Sequence, residues 1–230
     1  MATLYIVATP IGNLSDITSR TLQILKEVDL ILCEDTRTTQ KLLNFYDIKT
    51  PTLSYHQHSK IKKIEYILSL FRENKDLALV SDAGTPGISD PGNKLIELAL
   101  KKYENLKVVP IPGTSAVTCA ASISGFPTDR FLFLGFPPAK RKRKKFFTEV
   151  IGSKYPVIFY ESPHRIKKTL EELDLAAREQ KEDVKIVVCR EMTKKFETIY
   201  RGKIQAVIQE IEGDKTKGEF VVIVSRQKEQ

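Results

Sequence analysis

One loop in this sequence has the residue types and spacing of a ligand-binding site. The segment SDAGTPGISDPG, residues 81–92, carries three glycines, two prolines and the carboxylates Asp82 and Asp90. It joins a short apolar run to a predicted helix, so it lies at the carboxyl end of a strand, where open α/β sheets bind ligands. Strand-to-helix connections usually take about 2–6 residues, and this longer one therefore indicates ligand binding. It lacks the lysine of a phosphate-binding P-loop, and its carboxylates suit a cationic or hydroxyl-rich ligand.

Ionisable residues also follow three other predicted strands. They stand in Glu34-Asp35-Thr36-Arg37, in Glu161-Ser162-Pro163-His164-Arg165 and in Arg190-Glu191. Carboxylates and a histidine at such positions could transfer protons, and arginines there could bind a phosphate. Each also has a structural alternative, because acidic residues often begin helices and ion pairs are common in clefts.

A run of six basic residues, Lys140 to Lys145, is the strongest charge feature of the chain. Lysine and arginine number 37 against 29 acidic residues, which gives a formal net charge of +8. This balance favours a polyanionic partner, and nucleic acid more than a membrane. Because Pro137-Pro138 precede the run and like charges repel, we expect a mobile loop that contacts the backbone of the polyanion.

Several classes of site and location are disfavoured. Cys33, Cys119 and Cys189 are far apart without a CxxC pair, so neither a disulfide framework nor a zinc site is expected. His56 and His58 have no third ligand nearby, and no metal is expected. The amino terminus resembles a strand rather than a leader, and no apolar run could span a bilayer. We therefore expect no membrane association and a cytoplasmic location.

The elements that must position these residues alternate in the first half of the chain. Apolar runs predict strands over residues 4–8, 29–33, 52–56, 77–80 and 106–110, and apolar spacing predicts helices over 18–28, 60–72, 93–102 and 117–123. Alternating strands and helices predict a mainly parallel sheet, within a domain over residues 1–112. The first strand is not followed by GxGxxG, which disfavours an ordinary dinucleotide fold.

In the second half, strands are more frequent than helices. Strands are predicted over residues 131–136, 156–160, 184–189, 196–200 and 220–224, with helices over 166–180 and 203–211. Less room for crossover helices predicts a mixed sheet, in a second α/β domain over residues 113–230.

Seven stretches, taken together and in order, carry a resemblance that spans nearly the whole chain. They are VATPIGNLSD (7–16), CEDTRTT (33–39), SDAGTPGISDPG (81–92), PIPGTSA (110–116), FYESPHR (159–165), CREMTK (189–194) and KGEFVVIV (217–224). The chain resembles the ribosomal small-subunit RNA methyltransferase I family, within the tetrapyrrole (corrin/porphyrin) methylase fold. The resemblance implies two α/β domains, with S-adenosyl-L-methionine in the cleft between them, and a homodimer. It also implies 2′-O-methylation of a cytidine ribose in the decoding region of small-subunit ribosomal RNA.

The resemblance implies roles for individual positions. Those expected to bind the cofactor are Pro10, Asp82, Gly84, Thr85, Ile88, Ser115, Ala116, Tyr160 and Met192. Those expected to contact RNA are Arg37, Lys140, Arg141, Lys142, Arg143 and Arg165. A ribose hydroxyl is a poor nucleophile that benefits from a general base. The candidates for that base are Asp35, Glu161, His164 and Glu191, and the sequence does not rank them.

Two other functions stay open at this point. A tetrapyrrole methylase acting on a cobalamin or sirohaem precursor would share the fold, but such enzymes carry GxGxGD where this chain has TPIGNLSD (9–16). A non-catalytic RNA-binding factor would keep the fold without binding the cofactor. Many relatives continue past the last strand into a helical extension, and any RNA contact of that extension is expected to be absent here or made elsewhere. The substrate could be free ribosomal RNA or the assembled 30S subunit.

Overall fold

The computed structural model describes residues 2–56, 59–213 and 217–227, so His58 lies outside the described residues. The chain divides into two compact units, residues 1–115 and 116–230, where the sequence suggested a division between residues 112 and 113. No helix in the described ranges combines the length and apolar character needed to cross a membrane.

The first unit alternates strands with helices. Its elements are β1 (Thr3–Val7), α1 (Ser19–Glu27), β2 (Leu30–Cys33), α2 (Thr36–Phe45), β3 (Thr52–Ser54), α3 (Ile61–Arg72), β4 (Leu77–Val80), α4 (Asn93–Lys102) and β5 (Lys107–Ile111). The strands form one parallel sheet in the order β3-β2-β4-β1-β5. Val7, the last residue of β1, is paired with Val80 of β4 and Ile111 of β5, so these three strands end at one level.

Both faces of this sheet are buried, as expected for parallel strands. In β4 the side chains alternate between two cores: Leu77 and Leu79 pack with α3 and α4, whereas Ala78 and Val80 pack with α1 and α2. The connection after β1 leads past β4 to β2, and the connection after β4 leads past β1 to β5. The two connections therefore diverge to opposite faces, which creates a switch point beyond the carboxyl ends of β1 and β4.

The second unit is built around a mixed sheet. Its elements are α5 (Ala116–Ile123), β6 (Leu132–Phe133), α6 (Arg143–Gly152), β7 (Val157–Glu161), α7 (Ile166–Gln180), β8 (Val184–Arg190), β9 (Thr198–Lys203), α8 (Ile204–Glu212) and β10 (Phe220–Arg226). The strand order is β6-β7-β10-β8-β9. The central strand β10 runs antiparallel to both β7 and β8, and α6, α7 and α8 contribute buried side chains to the core on this sheet.

The mainly parallel sheet and the mixed sheet confirm the predicted fold class. Two helices were missed, because their apolar residues are too few or too late in the segment to show a helical period. Helix α2 buries only Thr39, Leu42 and Leu43, and α6 begins inside the basic run. The strand predicted over residues 131–136 is also shorter than expected, with only Leu132 and Phe133 paired to β7.

Candidate functional site

Hydrogen bonds join the loops that follow β1, β4 and β5 to one another at the switch point. Thr9 and Gly84 exchange backbone hydrogen bonds, each with an N···O distance of 3.0 Å. The Thr114 hydroxyl donates to the carbonyl of Thr9 at 2.5 Å, and the Thr85 hydroxyl donates to the carbonyl of Thr114 at 3.1 Å. These bonds join three separate loops into one surface beyond the strand ends. We call this surface, formed by Thr9, Gly84, Thr85 and Thr114, the strand-end floor.

Two glycines let these loops approach each other closely. Gly84 has φ +85°, a conformation that side chains rarely adopt, and a Cβ there would lie 3.4 Å from Ile11 Cγ2. Gly113, before Thr114, would place a Cβ only 2.9 Å from the Cβ of Ala8. The glycines thus leave backbone, rather than side chains, along the floor, which suits a ligand held against main-chain groups.

Carboxylates surround this floor. The Asp82 carboxylate accepts a hydrogen bond from the backbone N–H of Asp35 at 3.2 Å, which ties the loop after β4 to the loop after β2. Burial raises the pKa of Asp90 to about 6, and the negative charges of Glu34 and Asp82 contribute in the same direction. The repulsion from Glu34 and Asp82, which adds to the effect of burial, is one that a bound cation would relieve.

Asp35, a candidate base, is engaged by its neighbour Arg37. The guanidinium donates to both carboxylate oxygens, at 3.1 and 2.7 Å, and the Arg37 backbone N–H donates to the same carboxylate at 2.8 Å. The side-chain bonds from Arg37 lower the pKa of Asp35 to about 2. Asp35 therefore caps α2 and orients Arg37, whose side chain is 87% exposed.

Glu161, the second candidate, is fully buried and saturated with donors. Its carboxylate accepts from Thr169 Oγ1 at 2.6 Å and from the Ser162 N–H at 2.7 Å, and it pairs with Arg165 at 2.8 Å. Both oxygens of this carboxylate are therefore engaged by donors from the protein itself. The geometry supports a structural role at the start of α7.

Glu191 and His164 differ in how they are held. Glu191 has φ +50° and accepts from Lys194 Nζ at 2.8 Å and from the Glu219 N–H at 2.9 Å. The hydrogen bond from Lys194 lowers the pKa of Glu191, although burial opposes that shift and is the largest single influence. A Cβ on Gly218 would lie 2.3 Å from Glu191 Cγ, so glycine is required there. His164 is exposed and makes no hydrogen bond with another described residue.

The three sequence motifs of the second unit meet at one end of its sheet. Phe220, the first residue of β10, is paired with Glu161 of β7 on one side and with Arg190 of β8 on the other. Tyr160 of β7 packs edge-to-face against Phe133 and Phe136, with ring centroids 5.0 and 5.4 Å away. Tyr160 and the buried Met192 are two of the predicted cofactor residues.

The other predicted cofactor residues follow strands of the first unit. Pro10 is buried beside Thr9, Asp82 to Thr85 lie in the loop after β4, and Ile88 of that loop is exposed. Ser115 and Ala116 stand on either side of the boundary between the units. Sequence reasoning missed the hydrogen bonds of Thr9 and Thr114 between the loops, and it noted Asp90 as a carboxylate of the ligand-binding loop but not as a candidate base. The first two stand within the quoted motifs, which was the available signal.

The basic run was expected to be a mobile loop, but its second half, from Arg143 onward, belongs to helix α6. Arg143 begins α6 and its side chain is only 7% exposed, because it lies against Glu172, Thr169 and the ring of Phe147. Arg143 is therefore withdrawn from the residues expected to contact RNA. Lys140, Arg141 and Lys142 are exposed in the preceding turn, and we call residues 136–142 the cationic loop.

Comparisons with known proteins give consistent matches. The model of the family described as Tetrapyrrole (Corrin/Porphyrin) Methylases matches residues 3–208. A Thermotoga maritima protein named ribosomal RNA small subunit methyltransferase I is 44% identical over 226 residues, covering 98% of this chain and 99% of that protein. A Halalkalibacterium halodurans protein of the same name is 45% identical over 223 residues, covering 96% of this chain and 75% of that protein.

Solved structures show a similar fold at much lower identity. Cobalt precorrin-4 methyltransferase, a cobalamin biosynthetic enzyme, is 20% identical with a TM-score of 0.70, covering 97% of this chain and 94% of that one. Diphthine synthase is 14% identical with a TM-score of 0.74, covering 98% and 90% respectively. At such identities the likeness shows the fold alone.

Proposed function

This chain belongs to the tetrapyrrole (corrin/porphyrin) methylase family and, within it, to the ribosomal RNA small subunit methyltransferase I family, and on that premise we propose its reaction. The protein transfers a methyl group from S-adenosyl-L-methionine to the ribose 2′-hydroxyl of a cytidine in the decoding region of small-subunit ribosomal RNA. The resemblance seen in the seven motifs is confirmed, and the chain is a methyltransferase.

One observation carries the choice of RNA over a tetrapyrrole. Relatives named for ribosomal RNA methylation are 42–46% identical over nearly the whole chain, whereas the cobalamin biosynthetic enzyme cobalt precorrin-4 methyltransferase is 20% identical. The excess of basic residues, with a net charge of +8, agrees with a polyanionic substrate.

The strand-end floor of the first unit fits the cofactor. When bound, S-adenosylmethionine supplies a methyl group on a positively charged sulfur, ready for in-line displacement by an oxygen nucleophile. Asp82 and Asp90, with Glu34 nearby, supply negative charge that suits a ligand carrying a sulfonium and an ammonium group. The Gly84 backbone gives close access, and the Thr9, Thr85 and Thr114 bonds keep that backbone ordered.

The remaining task is to accept the proton of the ribose hydroxyl. Asp35, Glu161 and Glu191 are each occupied by a cationic partner and backbone donors. Asp90 has a pKa of about 6, which is nearer to what a general base needs at neutral pH. In this proposal a carboxylate oxygen of Asp90 would accept the proton of the ribose hydroxyl.

The reaction is tested by incubating the protein with labelled S-adenosylmethionine and small ribosomal subunits that lack the modification. Label should enter the RNA, and mapping should place it on the 2′-oxygen of one cytidine. A parallel reaction on free ribosomal RNA distinguishes the two possible substrates. Cofactor binding without transfer to either RNA would refute the reaction, and RNA binding without cofactor binding would favour a non-catalytic factor.

Three further properties accompany this proposal. The substrate is the small-subunit ribosomal RNA, either free or within the assembled 30S subunit, the protein acts in the cytoplasm because that RNA is there, and it forms a homodimer. The homodimer is checked by sedimentation at several protein concentrations, where a mass near 26 kDa throughout would contradict it.

A further inference from the structure

Two arginines hold the backbone of the cationic loop from inside the second unit. Arg165 Nη1 donates to the carbonyl of Pro137 at 3.2 Å, and Arg143 Nη1 donates to the carbonyl of Pro138 at 2.9 Å. Neither proline has an N–H, and their φ angles are fixed by the ring. Consecutive residues at the start of the loop are therefore fixed both by their own rings and by a guanidinium.

Both arginines are connected to the buried carboxylate of Glu161. Arg165 pairs with Glu161, whose side chain is completely buried. Arg143 donates to Glu172 at 2.7 Å and to the Thr169 hydroxyl at 2.8 Å, and that hydroxyl donates to Glu161. One connected network thus runs from the core to the backbone of the loop, and a connected buried network rigidifies what it holds.

The loop presents an unusual set of side chains to solvent. Phe136 is 52% exposed, although it packs against Tyr160. Lys140, Arg141 and Lys142 follow within six residues, all exposed, and none of them forms an ion pair with a described residue. Lys142 adopts φ +68°, so the turn that carries the cations has a defined and slightly costly backbone.

An exposed aromatic ring close to uncompensated cations matches single-stranded nucleic acid. Bases of a single strand stack on aromatic rings, while lysine and arginine contact the phosphates. A duplex hides its base faces, so the ring would have no partner there. We propose that the cationic loop is a preformed binding element for single-stranded RNA, in which Phe136 stacks on a base and Lys140, Arg141 and Lys142 contact phosphates. The identity of the nucleic acid as RNA rests on the proposed function.

Arg143 and Arg165 are then positioning residues rather than RNA contacts. Their guanidinium groups are committed to the core and to the carbonyls of Pro137 and Pro138. Ordering the loop before RNA arrives removes an entropic cost from binding. The motif FYESPHR, which ends in Arg165, contributes to RNA binding through this support.

The direct test measures fluorescence anisotropy of a labelled single-stranded RNA, without cofactor, over a range of salt concentrations. Phe136→Leu should lower affinity for the single strand by at least about fivefold. It should leave affinity for a duplex of the same length unchanged. The triple substitution Lys140→Gln, Arg141→Gln and Lys142→Gln should flatten the salt slope by about 2, from roughly 0.7 per phosphate.

A matched control changes the same amount of charge elsewhere. The control triple variant is Lys101→Gln, Lys102→Gln and Lys107→Gln. These three exposed cations lie at the end of α4 and the start of β5, at the amino ends of the strands and not at the carboxyl ends, where the strand-end loops lie. This variant should keep the wild-type salt slope. Equal losses for both triple variants would mean that only net charge matters, and the proposal would be wrong. Unchanged RNA affinity together with loss of binding to anionic phospholipid vesicles would make the loop a membrane contact instead.

The positioning role needs a measurement that a general loss of stability would not reproduce. Arg143→Lys keeps the charge but cannot donate to Glu172, Thr169 and Pro138 in the same fork geometry. Hydrogen exchange should become faster in residues 139–142 and stay slow in β10, and RNA affinity should fall at least about threefold with the salt slope unchanged. Unchanged exchange in the loop would overturn the positioning role. Wild-type RNA binding at this loop without methyl transfer would refute the proposed reaction and leave this inference standing.

Discussion

Thr9 and Gly84, which stand 75 residues apart in the chain, exchange a pair of backbone hydrogen bonds of 3.0 Å. The pair forms an isolated antiparallel bridge between the loops that follow two neighbouring parallel strands. Since Gly84 holds φ +85° there, its loop presents main chain at the switch point of the sheet. This bridge is the centre of the proposed cofactor site, and the first prediction follows from it.

We expect Gly84→Ala to lower affinity for S-adenosylmethionine by at least about tenfold, equivalent to about 1.4 kcal/mol. An alanine would be strained at φ +85° and would place a methyl group in contact with Ile11 beside the bridge, and Gly84→Val should be more severe. Gly125→Ala is the control, because Gly125 has φ +75° with nothing within 4 Å of a Cβ. Calorimetry should show cofactor binding reduced only for Gly84→Ala. Equal binding by both folded variants would place the cofactor elsewhere.

Asp90→Asn should change the pH dependence of stability. The pKa of Asp90 is raised from 3.8 to about 6 in the folded protein, so its protonation favours folding. That stabilisation is complete below about pH 4 and is lost as the pH rises through about 6. Above pH 7 the variant should therefore be more stable than wild type by about 1 kcal/mol, less than the full shift implies because the side chain is only half buried.

The control variant for this prediction, Asp47→Asn, should show the opposite pH dependence of stability. Lys49 lowers the pKa of Asp47, so Asp47→Asn should lose stability at neutral pH and not at low pH. Chemical denaturation at pH 4 and pH 7.5 measures both variants. If Asp90 is the base, Asp90→Asn should also lower kcat at least about 100-fold and remove the inflection near pH 6. A normal kcat for Asp90→Asn with a low one for His164→Gln would transfer the role to His164.

Arg37→Ala should reduce methylation of RNA far more than it reduces cofactor affinity. Arg37 is exposed and oriented by Asp35, which suits a contact with an RNA phosphate. Lys49→Ala removes a comparable exposed ion pair with Asp47 and should change neither property. Stability should hardly change in either variant, since exposed pairs contribute about 0–1 kcal/mol. Steady-state kinetics on RNA and cofactor calorimetry separate the effects, and parallel losses in Arg37→Ala would indicate a structural role.

Glu161→Gln should destabilise the fold by about 2–4 kcal/mol, because it leaves Arg165 without its buried partner and gives Thr169 a poorer acceptor. Glu149→Gln, an exposed change on α6, should be close to neutral. Below its melting temperature and at saturating RNA, the folded Glu161→Gln variant should keep most of its kcat, although its RNA affinity should fall because Glu161 anchors Arg165 beneath the cationic loop. A stable variant that binds RNA and cofactor but has no turnover at saturating RNA would instead identify Glu161 as the catalytic base.

The sequence alone determined the fold class and the position of the main loops. Apolar runs and helical spacing depend on neighbours within a few residues, and they predicted β4 and α4 with their observed bounds, Leu77–Val80 and Asn93–Lys102. The glycine-rich loop between them was recognised from its composition. Helices α2 and α6 were missed because polar and charged residues dominate their first turns, and packing rather than local pattern stabilises them.

Only the tertiary structure decided which polar residues are free to act. Arg143 stands in a run of six cations, yet partners 26 and 29 residues away draw it into the core and leave its neighbours in solvent. Glu161 was one of four equivalent candidates until Thr169 and Arg165 proved to saturate it. Thr114 reaches Thr9 across 105 residues. Burial and hydrogen-bond partners depend on contacts between distant segments, which chain folding creates and local sequence patterns do not record.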